Sequence, residues 1–354
     1  MNDMIRVLVV DDSAIVRQIL TQGLSADPAI EVVATASNPY IARDKILQYK
    51  PDVLTLDVEM PRMNGVEFLR RLMPQYPMPV LMVSSLTERG KQITVEALEA
   101  GAVDFVTKPG SDVQRGLNAM LAELRVKVKI VAHANVSQWR NPEYRPTPHK
   151  PLQSRALAES TNKIIAIGAS TGGTEAIRYI LRELPADTPG IVIVQHMPPG
   201  FTKMFAERLD EQSAMEVKEA ETGDRVLRGR VLVAPGDYHM RVTRSGGVYL
   251  VECKQAEKVC GHRPSVEVLF KSVASAAGSN GVGVILTGMG NDGAKGMVAM
   301  RQAGATTLAQ DEPTSVVFGM PKVAYESGGT DTLLPIQHIS GKILSALSEK
   351  GGSQ

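Results

Sequence analysis

Disulfides are the first thing this chain lacks. Cys253 and Cys260 are its only cysteines in 354 residues, and no secretory leader is evident, so a disulfide scaffold is excluded and a cytoplasmic setting is expected. Long apolar runs are missing too. None approaches the roughly 20 residues that a membrane helix needs, so no direct membrane insertion is expected. Aromatic residues make up 4% of the chain, with one tryptophan, Trp139. A net basic excess is confined to one short stretch: residues 1–124 carry a net −4, residues 125–160 a net +5, and residues 161–354 are neutral. Neither half has the clustered basic footprint that nucleic acid demands, and no helix-turn-helix pattern follows the basic stretch.

What is there is a repeating alternation of short apolar runs and amphipathic stretches. Residues 6–10 (RVLVV), 31–36 (EVVATA), 53–57 (VLTLD), 79–85 (PVLMVSS) and 104–108 (DFVTK) read as buried parallel strands. Helical patterns lie between them, over 14–24, 39–48, 65–73 and 91–100, and again over 117–131. A five-fold β/α repeat predicts a doubly wound sheet. Residues 138–153 then hold four prolines and no hydrophobic period, which predicts an extended linker; Trp139 falls here, as an exposed aromatic or an anchor on a domain face. A second β/α pattern begins near residue 163, with strands at 163–170, 190–196, 281–288 and 305–311. Helices are predicted over 174–183, 201–212, 265–277 and 294–302. Residues 230–252 carry hairpin signals, with Gly246-Gly247 at the turn. The reading is α/β throughout: residues 1–124, a linker at 125–160, and a mostly parallel domain at 161–350 with an antiparallel hairpin.

In an open α/β sheet the crevice lies at the carboxyl ends of the strands. In the first half those ends carry Asp11 and Asp12, Asp57, Ser84, and Lys108 followed by Pro109. Carboxylates gathered there repel one another unless a hard divalent cation joins them. Carboxylates, Mg²⁺ and a lysine suit a phosphoryl group, with Asp57 as acceptor, Lys108 pairing its oxygens and Ser84 within reach. VVDDSAIVRQIL, LTLDVEMPRMNGVEFL, VLMVSS and DFVTKPG resemble the landmark stretches of bacterial response-regulator receiver domains, of flavodoxin-like fold. That resemblance implies phosphorylation of Asp57 by a histidine kinase. It implies Mg²⁺ on Asp12, Asp57 and the backbone carbonyl of Glu59, with Asp11 nearby, and Ser84 and Phe105 as the switch hydroxyl and aromatic.

The second half opens with GASTGG at 168–173. It is neither a Walker loop, having no lysine, nor a dinucleotide fingerprint. A looser glycine nest could hold an anion at a helix N-terminus. Alternatively Ser170 is a nucleophile, which needs a base and an orienter. Among the six histidines, His196 directly follows a buried strand and arrives at the same sheet end as Ser170. The third strand, 281–288, finishes in a glycine-rich turn with Asn291 and Asp292. Asp292 can cap the following helix or accept the Nδ1 proton of a histidine. Backbone N–H groups among Gly288, Gly290 and Gly293 could form an oxyanion hole. The order Ser…His…Asp differs from that of the α/β-hydrolases.

IIAIGASTGGTEA, VIVQHMPPGFTKMFAERLD, VLVAPGDYHM, HRPSVEVLF and VILTGMGNDGAKGM, taken with the first half, resemble the CheB family of chemotaxis response-regulator methylesterases. The resemblance implies Ser170 as nucleophile, His196 as general base and acid, and Asp292 as its orienter. It further implies Thr171 assisting and the Met289 N–H donating to the oxyanion. The implied substrate is a glutamate γ-methyl ester on a chemoreceptor's cytoplasmic domain, with deamidation of receptor glutamines as a second reaction. A chemotaxis histidine kinase is the implied phosphodonor, and no cofactor is expected for the esterase reaction.

Overall fold

The structure, a computed structural model, describes residues 4–109, 113–140 and 162–348. It forms two compact units, Met1–Arg145 and Pro146–Gln354. Residues 141–160 of the expected linker lie outside the described residues.

The first unit holds strands β1 (Ile5–Val10), β2 (Ile30–Ala36), β3 (Val53–Asp57), β4 (Val80–Ser84) and β5 (Asp104–Thr107). Their order is β2-β1-β3-β4-β5 and every neighbouring pair is parallel. The central strands β3 and β4 are buried along their whole length and mostly apolar because helices cover both faces. These are α1 (Ala14–Ser25), α2 (Pro39–Tyr49), α3 (Gly65–Leu72), α4 (Glu88–Glu99) and α5 (Val113–Val131). Ser13, Asn38, Asn64 and Thr87 each cap a helix by accepting an N–H three residues on. The Thr87 cap starts α4 three residues before the hydrophobic period predicts. Helix α5 continues past residue 124, burying Leu124, Val128 and Val131 on one face. Part of the basic segment therefore belongs to this unit: Arg125 donates to the Gly23 carbonyl, and Lys127 and Lys129 pair with Asp104 and Asp27. Trp139 is half-buried against Gly101, whose positive φ of 110° and lack of a side chain leave room for the indole.

The second unit holds a seven-stranded, wholly parallel sheet. Its strands are β6 (Ile164–Ala169), β7 (Ile191–Gln195), β8 (Glu216–Glu219), β9 (Arg230–Val233), β12 (Gly281–Ile285), β13 (Thr306–Gln310) and β14 (Leu333–Leu334). A separate antiparallel pair is made by β10 (His239–Ser245) and β11 (Val248–Lys254), turned by Gly246 and Gly247, both at positive φ. The expected hairpin over 230–252 thus needs correction. Residues 230–233 are buried sheet, parallel to β7 and β8. Only the strands that alternate buried and exposed residues form the hairpin. Helices α6 (Gly173–Glu183), α7 (Phe201–Asp210), α8 (Val266–Ala277), α9 (Ala294–Gln302), α10 (Met320–Glu326) and α11 (Ile336–Ser348) complete the unit. The strand order is β14-β13-β12-β6-β7-β9-β8. The chain starts at β6, winds one way, then returns to β12 and winds the other. The reversal between β6 and β12 is a topological switch point, where a crevice opens at the strands' carboxyl ends.

Gly168 lets α8 approach β6: a Cβ there would stand 2.2 Å from Val266 Cγ1. Gly168→Ala is expected to lower stability by about 1–3 kcal/mol through overpacking. Combined with Val266→Ala, the loss should be at least ~1 kcal/mol smaller than the sum of the single losses. Urea denaturation of the four proteins followed by circular dichroism checks this, and strict additivity would contradict the contact.

Candidate active site

Ser170 follows β6 directly and precedes α6. Its N–H donates to the Thr287 carbonyl at 3.0 Å, and its carbonyl accepts from the Gly173 N–H at 2.7 Å and from Gln195 Nε2 at 2.9 Å. Gly172, at φ 76°, makes the turn into the helix. Gly288 comes so close that a Cβ on it would lie 2.7 Å from Ser170 Cβ. The serine backbone is thus fixed by bonds to both neighbouring strand ends.

His196 follows β7, its N–H directed to the Ala169 carbonyl at 3.3 Å. Its Nδ1 lies 3.1 Å from Ser170 Oγ and its Nε2 2.8 Å from Asp292 Oδ2. The three residues drawn from separate strand ends therefore meet. The expected use of the ring nitrogens is corrected: Asp292 faces Nε2, and Nδ1 faces the serine. Sheet order explains it. Strand β6 lies between β7 and β12, so the nitrogen nearer the His196 backbone meets the adjacent strand's serine. The far nitrogen reaches the aspartate beyond it.

Asp292 is 1% exposed. It does not cap α9, whose N-cap position is taken by Gly293 with no side-chain cap. Instead it lies on the N-terminus of α8. Its Oδ1 accepts from Ser265 Oγ at 2.7 Å and the Glu267 N–H at 3.0 Å, and its Oδ2 accepts from the Val266 N–H at 2.8 Å. Burial works against the charge, but the bonds from His196, Ser265 and Glu267 hold the carboxyl below its usual range. The helix terminus adds favourable potential.

Thr171 is buried beside Ser170, its carbonyl accepting from Thr287 Oγ1 at 3.0 Å. Met289 is half exposed on the β12–α9 turn, next to Gly288, whose own N–H is taken by the Val317 carbonyl. Two residues the sequence pattern did not single out complete the surroundings. His262 stacks on His196 with ring centroids 3.7 Å apart, and Ser265 joins Asp292 to α8. Ser265 carries a sequence signal, a serine followed by an apolar helical run. His262 opens the stretch HRPSVEVLF, but no periodicity marks it, because it arrives from the loop between β11 and α8.

The first unit gathers its acidic residues as expected. Asp11, Asp12 and Asp57 each place an oxygen within 4.8 Å of the others. Lys108 Nζ reaches Asp11 at 2.9 Å and Asp57 at 3.0 Å. Three hard carboxylate donors with one lysine leave an excess of negative charge, a set that fits a divalent cation with oxygen ligands. Burial pushes the Asp57 carboxyl up to about 6; Lys108 opposes that rise and Asp11 adds to it. Burial opposes the Lys108 charge too, but Asp57 and Asp11 hold its ammonium above the usual range. The Glu59 N–H points to Asp57 Oδ1 at 3.4 Å. Ser84 is buried, its hydroxyl bonded to the Gly90 carbonyl at 3.2 Å and to Thr94 Oγ1. Phe105 is 4% exposed, with Lys127 Nζ 5.3 Å from its ring centre. Among the described residues no helix is long and apolar enough to cross a membrane.

Comparison with known proteins matches residues 165–343 to the CheB methylesterase family and residues 7–120 to response regulator receiver domains. A protein-glutamate methylesterase/protein-glutamine glutaminase of Syntrophotalea carbinolica is 64% identical, over 98% of this chain and 98% of its own. Another from Sulfurimonas denitrificans is 56% identical, over 98% and 99%. The crystal structure of the Thermotoga maritima CheB methylesterase catalytic domain is 43% identical, covering 52% of this chain and 98% of that one, with a TM-score of 0.51.

The Asp57 environment has a pH signature in the metal-free protein. An unfolded aspartate loses its proton near pH ~4, and folded Asp57 near 6. Between those values the folded state keeps a proton that the unfolded state has lost, so stability falls as pH rises. Asp57→Asn should abolish this fall and raise stability at pH 7 by about 1–3 kcal/mol. Mg²⁺ should then stabilise the original protein and not the variant. Guanidinium unfolding followed by the fluorescence of Trp139, which packs in this unit, reads both effects; a variant no more stable at pH 7 would contradict them.

Proposed function

Since this chain belongs to the CheB methylesterase family and carries a response-regulator receiver domain, we propose that it hydrolyses glutamate γ-methyl esters on chemoreceptor cytoplasmic domains through Ser170, His196 and Asp292. The observation that carries this reading is the His196 ring, bonded to Ser170 on one edge and Asp292 on the other.

With Nε2–H donated to Asp292, Nδ1 keeps its lone pair for the Ser170 proton. Ser170 Oγ attacks the ester carbonyl carbon as its proton passes to Nδ1. The buried carboxylate stabilises the resulting imidazolium. The Met289 N–H receives the oxyanion, and Thr171 assists beside the serine. Collapse of the tetrahedral intermediate breaks the bond to the methoxy oxygen, which takes the proton from Nδ1 and leaves as methanol. Water then attacks the glutamyl-serine ester by the same steps in reverse, giving glutamate and free Ser170. A glutamine side chain enters the same ester with ammonia as leaving group, which accounts for the glutaminase in the relatives' names.

Asp57 is the proposed phosphoryl acceptor, with a chemotaxis histidine kinase as donor. Asp12, Asp57 and the Glu59 carbonyl would hold Mg²⁺, which when bound neutralises phosphoryl oxygens. Lys108 would pair with the phosphoryl group, and Ser84 and Phe105 would change position with it. Phosphorylation would then raise esterase turnover, a local charge event acting on a two-state element.

Ser170→Ala is expected to lower methanol release from a methylated receptor by at least about 10³-fold with the melting temperature unchanged. Unchanged release would remove Ser170 as the nucleophile. In the same assay, a small phosphodonor with Mg²⁺ should accelerate the original protein and leave Asp57→Ala unaffected. Equal acceleration of both would place the regulation elsewhere.

A further inference from the structure

His262 has no part in the proton transfers just described, yet its ring lies against the centre of them. The His196 and His262 rings are parallel within 7°, with centroids 3.7 Å apart. His262 ends a tight turn from Val259, closed by paired backbone bonds of 3.1 and 2.9 Å between those two residues. Cys260 and Gly261 sit at φ 51° and 81° to make it. The loop that carries the turn is tied down on both sides. Arg263 and Gln255 both bond Asp237, at 2.9 and 2.8 Å, and the His239 ring bonds the Glu257 carbonyl at 2.9 Å. Three residues after His262 comes Ser265, which with the next two residues supplies the donors to Asp292. One loop thus reaches the His196–Asp292 pair at two points: under the ring and behind the carboxylate.

The two in-plane bonds of His196 restrain the ends of its ring but not its roll about the line joining them. A planar group against one face removes that freedom. The need is greatest during turnover, when Nδ1 takes a proton from Ser170 and must hand it to a different oxygen. At that moment the ring carries a positive charge, which an aromatic face stabilises.

We propose that His262 is a positioning residue for His196, holding the ring in the plane shared by Ser170 and Asp292 and supporting its charged form. This rests on the reading of Ser170 and His196 given above. The flat face of the ring is what this role requires, so another flat ring at position 262 should fill it.

The test compares the full chain with His262→Ala and His262→Phe in methanol release from a methylated receptor. His262→Ala should lower kcat by about 10- to 100-fold, the scale of a misplaced catalytic group, with KM within about twofold. His262→Phe should recover kcat to within about threefold of the original. An unchanged kcat in His262→Ala overturns the proposal, as does a His262→Phe variant as slow as His262→Ala. A second measurement needs no turnover: the ¹⁵N resonances of His196 should report one ring position in the original protein and His262→Phe, and exchange among several in His262→Ala. A rigid His196 ring in all three proteins overturns it equally. If the original protein releases no methanol, the functional reading fails by itself, while the resonances still test the stack.

Discussion

The second unit depends on keeping a negative charge in a place where water cannot reach it. An unpaired carboxylate in a dry interior is costly enough to neutralise itself or disrupt the fold. Asp292 avoids this with four donors: the His196 ring, the Ser265 hydroxyl and two N–H groups from the first turn of α8. Those N–H groups have no partner within their own helix, so helix and carboxylate each satisfy what the other lacks. The same contact determines where α8 begins, and therefore where Val266 packs against Gly168 on β6. Site and core are one construction, and a change in either is felt in the other.

The first unit treats the same side chain in the opposite way. Asp57 is nearly as buried, but its main partner is one lysine shared with Asp11, and its carboxyl is driven up to about 6. Asp292 is held below its usual range by fixed donors. The contrast follows from what surrounds each group. A carboxylate whose lone pairs are filled by the fold is a permanent countercharge and a poor acceptor of anything new. One left short of partners, with two other carboxylates within 4.8 Å, favours the arrival of a cation or a covalent group.

Much of this was legible from sequence because it resides in local patterns. The buried strands are short, mostly apolar runs, and chemistry-bearing residues stand directly at their ends: Asp57 after VLTL, Ser170 after IIAIGA, His196 after IVIVQ. The parallel-sheet rule then brings Ser170 and His196 to one edge without further information. What stayed hidden depends on contacts between distant segments. The arrival of His262 depends on a loop tied to Asp237, which no period reveals. Residues 230–233 read equally well as a hairpin strand until their neighbours in the sheet are known. The partner of Asp292 was ambiguous because an aspartate before a helix usually caps it, whereas here the α8 N-terminus, some 26 residues upstream, competes and wins.

The orientation of the His196 ring shows how far topology reaches into chemistry. Chain order alone, Ser before His before Asp, is compatible with either nitrogen facing the serine. Strand order is not. With β6 flanked by β7 and β12, a histidine at the end of β7 must cross over the serine to reach the aspartate. Only Nε2 is far enough from the backbone to make that bond. The aspartate therefore fixes the proton on Nε2 and leaves Nδ1 basic toward Ser170. Had the serine strand been at the far side of the aspartate strand, the same three side chains would have met through the other tautomer. The switch point between β6 and β12 thus decides more than where a crevice opens. It selects which nitrogen of one ring is available as a base.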